Sequence, residues 1–255
     1  MTVNHQLTPV PELSEPQPIK ARAIKSFVLR QGRMTDAQER AYEEQWALYG
    51  IDFAPQQSAL SLPLNFSHYF GSDKPLVVEI GFGMGDSLVE MAQKHPETHF
   101  VGIEVHKPGV GRALMNSAKA GLKNIRFLRH DAVEVLELGI ADGSLSRVQI
   151  YFPDPWHKAR HHKRRLIQAP FLSLLHRKLQ AGGELHIATD WEHYAEWIRD
   201  LLRDNPQWHN LGNPDGYSER PNHRPETKFE RRGLKLGHGV WDLRYTKIPT
   251  PSSKS

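Results

Sequence analysis

The stretch VVEIGFGMG, Val77 to Gly85, places an acid, Glu79, two residues before the first of three glycines spaced GxGxG. Gly81, Gly83 and Gly85 can take positive φ and let a ligand approach the backbone. The third glycine comes one residue earlier than in the GxGxxG turn of dinucleotide-binding folds, and a carboxylate inside the strand would repel a pyrophosphate. S-adenosylmethionine suits this turn better, because it carries an amino group and a sulfonium but no phosphate. Further acids follow apolar runs downstream. Glu104 lies nineteen residues beyond Gly85, where a carboxylate receives ribose hydroxyls at the end of a neighbouring strand. Asp131 can bond an adenine amino group or cap the next helix. Asp154 sits between Pro153 and Pro155, which fix the backbone on either side, and Asp190 closes a later apolar run.

The acid at Asp154 is followed by WHKARHHKRR, in which Lys158, Arg160, Lys163, Arg164 and Arg165 are interleaved with His157, His161 and His162. A charge run is usually a solvated face, but its place beside a candidate active-site acid favours contact with phosphates. The same cations disfavour a histidine metal site, and no metal is expected. Trp156 offers a flat face for packing on a base or covering a pocket. Near the C-terminus, Thr227, Lys228 and Glu230 surround Phe229 in the segment RPETKFERRG, which taken alone is a polar loop.

These residues need a scaffold of alternating strands and helices. The apolar runs predict strands at 77–80, 99–105, 125–128, 147–152, 184–190 and 240–247. Helices are expected at 86–94, with Asp86 or Ser87 as N-cap, and at 108–121, 133–138, 166–179 and 191–202, with Gly182-Gly183 stopping the fourth. This alternation gives an α/β fold with a parallel sheet and its ligands at the carboxyl ends of the strands. Upstream, Thr35 caps a helix running through Tyr42, Trp46 and Leu48. Residues 1–19 read as a disordered, proline-rich tail and 20–70 as a basic N-terminal extension, whose arm at 20–33 can dock on the body or on a polyanion. The catalytic domain is expected at 71–248 and a short tail at 249–255.

At 255 residues the chain can bury one good core plus an appendage. It has no cysteine, which excludes disulfides, thiolate metal sites and cysteine nucleophiles. Mean hydropathy is −0.58, no apolar run reaches membrane-spanning length, and the first twenty residues lack the apolar core of a signal peptide, so a cytoplasmic protein is expected. The net charge of +4 argues only weakly for an anionic partner. Its distribution argues more strongly.

Taken together, SFVLRQGR (26–33), VVEIGFGMGDSL (77–88), GIEVHKPGVG (102–111), YFPDPWHKARHHKRR (151–165), ATDW (188–191) and RPETKFERRG (224–233) resemble the bacterial tRNA (guanine-N7)-methyltransferases. The resemblance implies a Rossmann-like seven-stranded sheet, mostly parallel with an antiparallel last strand, and helices on both faces. It implies S-adenosylmethionine contacts at Glu79, Glu104, Asp131 and Asp154, and substrate contacts at Lys158, Asp190 and Thr227 to Glu230. The implied activity is methyl transfer to N7 of a guanine in the variable loop of tRNA. Because N7 has a free lone pair, no general base is needed, and Asp154 either orients the guanine or stabilises the cationic product. The alternatives are a methyltransferase for another RNA or a small molecule, and an RNA-binding protein that keeps the cofactor fold without turnover. A monomer and a homodimer are both compatible with the sequence.

Overall fold

Leu76–Ile80 form β1, and all five residues are buried, as befits a central parallel strand covered on both faces. Around it lie β2 (His99–Ile103), β3 (Ile125–Leu128), β4 (Leu145–Tyr151), β5 (Leu179–Thr189), β6 (Trp208–Asn210) and β7 (Trp241–Lys247) in the order β3-β2-β1-β4-β5-β7-β6. The strands from β3 through β5 run parallel, whereas β7 is antiparallel to both β5 and β6. The computed structural model describes residues 25–27, 32–56, 62–227, 230–231 and 239–249. The expected tail at 1–19, most of the arm at 20–33, Lys228, Phe229 and the last residues lie outside the described residues.

Alternate residues of each strand feed two cores. Val78, Ile80, Val148, Ile150, Leu185, Ile187 and Leu243 enter one, while Val77, Phe100, Phe127 and Tyr151 enter the other. Glu79 therefore points to the same face as Val77, as do Gln149 and Tyr151 of β4, His186 of β5 and Asp242 of β7.

The helices are α1 (Asp36–Tyr49), α2 (Phe66–Phe70), α3 (Asp86–Lys94), α4 (Lys107–Lys119), α5 (Ala132–Glu134), α6 (Ala169–Lys178) and α7 (Glu192–Arg203). Thr35 and Gln38 close a reciprocal capping box at the start of α1. This helix packs on α4, close enough that a Cβ on Gly111 would lie 2.9 Å from the Gln38 carbonyl oxygen. The chain beyond α1 joins the body, with Ile51 N–H donating to Phe127 O at 2.8 Å and Ile51 and Leu64 buried in the core.

Several expectations need correction. Gly85, at φ +74°, is the N-cap of α3 and makes no side-chain capping bond, while Asp86 lies in the first turn and pairs with Arg112 at 3.1 Å. The helix expected at 133–138 is three residues of α5 followed by a wider π turn at Val135–Gly139. α6 starts at Ala169 because Pro170 fits the first turn, where its missing N–H costs nothing. The helix ends at Lys178, and Gly182-Gly183 lie instead within β5, where pairing with β4 jumps from Leu145↔Leu179 to Arg147↔Glu184. α2 and β6, five and three residues long, are too short to leave a periodic signature. Among the described residues, no helix is long and apolar enough to cross a membrane.

Candidate active site

A cavity of about 380 Å³ opens beyond the carboxyl ends of the central strands. Gly81, Gly83, Glu104, Asp131 and Asp154 all line it, so five residues from four separate motifs meet around one space. The glycine turn is held from two sides. Glu104 Oε2 accepts the Gly83 N–H at 3.0 Å, while its Oε1 accepts Val105 N–H at 2.7 Å and His106 N–H at 2.9 Å. A carboxylate has about four lone-pair sites, so Glu104 keeps acceptor capacity for a ligand after fixing the turn. From below, a Cβ on Gly109 would collide with Gly83 O, so only glycine lets α4 support the turn directly. Asp131 caps the next helix, its Oδ1 accepting the Val133 N–H at 2.9 Å, and it also lines the cavity.

Two of the expected cofactor residues sit behind the wall rather than on it. Gly85 is buried, and a Cβ there would lie 2.6 Å from the Ala113 Cβ. Glu79 is 3% exposed beneath the turn, and the adjacent Ile80 and Gly81 reach the cavity instead. Burial raises the Glu79 carboxyl to about 7, with the nearby Glu104 pushing the same way and the Gln149 Nε2–H, donating at 2.8 Å, pulling it back. Near neutral pH this acid is poised between its charged and neutral forms.

The loop after β4 is bent by two non-glycine residues with positive φ, Phe152 at +52° and Trp156 at +49°. Such residues are held by their surroundings, and they cluster at functional sites. The Trp156 indole N–H donates to Ser26 O at 3.3 Å, the Arg164 guanidinium lies 4.1 Å from its ring, and His161 meets it edge-on. Trp156 thus holds a piece of the N-terminal arm, and Ser26 and Phe27 line the cavity together with Met84, His106 and Phe152. The apolar residues interleaved in SFVLRQGR signalled an arm that docks. Nothing in the sequence signalled where.

The basic run forms a 3₁₀ helix, Ala159–Arg164, behind Lys158. Lys158, Arg160 and Lys163 are exposed. The pKa values of His161 and His162 are lowered, chiefly by lost solvation and then by the neighbouring cations. Arg165 corrects the reading of the run as a uniform phosphate-binding face. It is fully buried, donates through Nε to Pro155 O at 2.9 Å, and packs its guanidinium over Tyr194 and Trp197 at 4.8 and 5.2 Å. A charge in that position braces the Asp154 loop from inside and has no surface to offer RNA.

Lys158, Asp190 and Thr227 lie outside the cavity lining. Asp190 is exposed just past β5, next to Trp191, whose ring meets that of His157 at 4.1 Å. Thr227 and Glu230 form a reciprocal turn, with Glu230 N–H donating to Thr227 Oγ1 at 3.1 Å and Thr227 N–H to Glu230 Oε2 at 3.4 Å. Glu230, expected to bind substrate directly, is buried and has its carboxylate gripped by Arg224 at 2.6 and 2.9 Å. Its carboxylate is committed to the fold. Among the described residues, Glu184, His186 and His223 bring ligand atoms within 4.8 Å of one another, but Arg244 already engages Glu184 and Asp242 engages His186.

Residues 73–243 match a family model described as "Putative methyltransferase". Curated tRNA (guanine-N(7)-)-methyltransferases of Shewanella sp. (strain W3-18-1) and Shewanella amazonensis are 55% and 53% identical over 227 residues, which is 89% of this chain and 93% of each relative. Among solved structures, the antibiotic-resistance methyltransferase Kmr aligns with a TM-score of 0.52 at 16% identity, covering 76% of this chain and 97% of its own. A point mutant of the 16S rRNA (adenine(1408)-N(1))-methyltransferase from Catenulisporales acidiphilia, solved with cosubstrate SAM, aligns at 0.50 and 20% identity over 80% and 96%. These two likenesses carry the fold. The identity along nearly the whole chain, with the acids and glycines of the cavity in their motifs, carries the family: the chain belongs to the tRNA (guanine-N(7)-)-methyltransferases.

Proposed function

We propose that this protein transfers a methyl group from S-adenosylmethionine to N7 of a guanine in the variable loop of tRNA. The observation that carries the reading is the meeting of Gly81, Gly83, Glu104, Asp131 and Asp154 around one cavity. The donor set fits the cofactor: Glu104 offers spare acceptor capacity to ribose hydroxyls, Asp131 an acceptor for an adenine amino group, and Glu79 a negative potential beneath the amino-acid end. It does not fit a phosphate-bearing dinucleotide, which would face these acids without a cation among them.

S-adenosylmethionine supplies a methyl group on a cationic sulfur, open to attack by a lone pair. Guanine N7 presents that lone pair at neutral pH, so no residue has to remove a proton first. The chain's task is alignment and charge. Asp154, fixed between two prolines in a loop braced by Arg165, accepts hydrogen bonds from the guanine N1–H and amino group or stabilises the positive charge that develops on the purine. Phe27, Met84 and Phe152 give the cavity apolar walls that limit water. Lys158, Arg160, Lys163 and Arg164 hold phosphates of the folded RNA, and the reacting base turns out of its stack to reach the cavity. Residues 71–248 are the catalytic domain in this reading, the extension at 20–70 lends Ser26 and Phe27 to its rim, and the enzyme works in the cytoplasm.

Incubation with labelled S-adenosylmethionine and an unmodified tRNA transcript, followed by borohydride and aniline cleavage, tests the proposal. Cleavage at one variable-loop guanine is the expected result. Incorporation of label without cleavage would move the target atom away from N7.

A further inference from the structure

On the face of the sheet that carries Glu79, polar side chains follow one another from strand to strand. Glu79 accepts from Gln149 Nε2–H at 2.8 Å, and the Tyr151 hydroxyl lies 3.2 Å from Gln149 Oε1 and 3.0 Å from His186 Nδ1. His186 Nε2 lies 2.7 Å from Asp242 Oδ1, and Arg224 donates to Asp242 at 2.8 Å through both Nε and Nη2. The other edge of the same guanidinium holds Glu230, and with it the Thr227 turn. Register explains the alignment, since Gln149 pairs with Glu79 on one side and with His186 on the other. All of these side chains are buried except that of Thr227.

A fully buried guanidinium with four charge-assisted bonds to two carboxylates is a costly arrangement that packed apolar residues could often replace. What an apolar replacement could not supply is orientation. The fork ties Glu230 to Asp242 of β7, so Glu230 and Thr227 are referenced to the sheet. Donor accounting adds a second property. His186 donates Nε2–H to Asp242, which leaves Nδ1 as an acceptor shared by the Tyr151 hydroxyl and by His223 Nε2, 3.3 Å away. Tyr151 has one proton and two acceptors, Gln149 on the Glu79 side and His186 on the Arg224 side. Tyr151 is also among the residues that line the cavity.

We propose that Arg224 is a positioning residue that sets Thr227 and Glu230 for RNA, and that Asp242, His186 and Tyr151 tie its grip to occupancy of the cofactor cavity. The inference rests on the tRNA methyltransferase reading for what the turn does, but not for whether the tie exists. Cofactor in the cavity fixes which acceptor Tyr151 serves, and the hold of Arg224 on Glu230 tightens.

Hydrogen exchange of the 225–231 segment in the full chain, with and without S-adenosylhomocysteine, reads the tie directly. Exchange in the wild type is expected to slow at least threefold on addition of the ligand. Arg224→Lys, which keeps the charge but loses the fork, is expected to abolish that slowing and to lower kcat/KM for tRNA tenfold or more, while S-adenosylhomocysteine Kd stays within threefold. His186→Asn is expected to abolish the slowing as well. Slowing that survives in His186→Asn would mean that direct contact, not the side-chain path, transmits the signal, and would overturn the proposal. So would wild-type exchange indifferent to the ligand, a measurement that needs no variant to fold. Slowing without any methylation of tRNA would sink the functional reading and leave the tie standing.

Discussion

Replacing Glu79 by Gln keeps the shape of the side chain and an oxygen for Gln149, but removes the ability to ionise. In the wild type the folded-state pKa is raised to about 7, against 4.5 when the group is solvated. A carboxyl raised in this way binds more protons folded than unfolded, so its contribution is most favourable at low pH and is lost as pH climbs through the folded value. At about 1.4 kcal/mol per pKa unit, the wild type should lose roughly 2 to 3 kcal/mol between pH 5 and pH 8 from this one group. Glu79→Gln should lose none of it. Urea unfolding of both proteins without cofactor, at pH 5, 6, 7 and 8, gives the difference between them, which cancels the histidines that titrate in both. The variant should gain steadily on the wild type as pH rises. A difference that stays flat, or shrinks towards pH 8, would mean that Glu79 is not buried in a protonatable state, and the account of its environment would fail.

Asp154→Ala should lower methyl transfer to tRNA by at least about 10²-fold, as measured by single-turnover kinetics at saturating cofactor. Arg164→Ala and Arg165→Ala should part company despite their adjacency. Arg164→Ala should reduce the salt slope of tRNA binding by roughly 0.7 to 0.9 and give up only its stacking on Trp156, whereas Arg165→Ala should cost more, above about 2 kcal/mol in urea unfolding, because it empties a buried, bonded site. Gly109→Ala should push α4 against the Gly83 carbonyl, lowering the melting temperature and weakening S-adenosylhomocysteine binding at least tenfold by calorimetry.

The sheet was legible because its strands are short apolar runs separated by glycine or polar turns, and the acids at their ends could be read as a set before any contact was known. The antiparallel last strand came only through the family resemblance. What escaped the sequence were facts about burial. Arg165 has the same composition around it as Arg160, yet one is inside and the other outside, and only the fold of the loop on Tyr194 and Trp197 decides which. Glu230 looked like a free acceptor because its partner Arg224 lies six residues away with a turn between them, and Asp242 belongs to another strand. Gly182-Gly183 misled for a related reason: glycine marks a helix stop or a strand irregularity equally well, and pairing with β4 settles the matter. Ser26 and Phe27 reach the cavity over a separation of 130 residues between Ser26 and Trp156. No local pattern encodes such a contact.

Phe152 and Trp156 bear on how sequences of this kind can drift. Each holds a left-handed backbone that a side chain resists by about 1 to 2 kcal/mol, so the bend around Asp154 persists only through what surrounds it. Those surroundings are scattered: Phe152 N–H donates to Ala188 O, Trp156 is clasped by Arg164 and the Ser26 carbonyl, and Pro155 O is caught by Arg165. Glycine at either bend would relieve the local resistance of about 1 to 2 kcal/mol but give up the side-chain contacts that hold the bend, and it would let the loop sample other shapes. The two aromatic residues therefore mark a stretch that cannot drift alone, since a change in the arm, in the basic run or at the end of β5 is felt in the bend around Asp154.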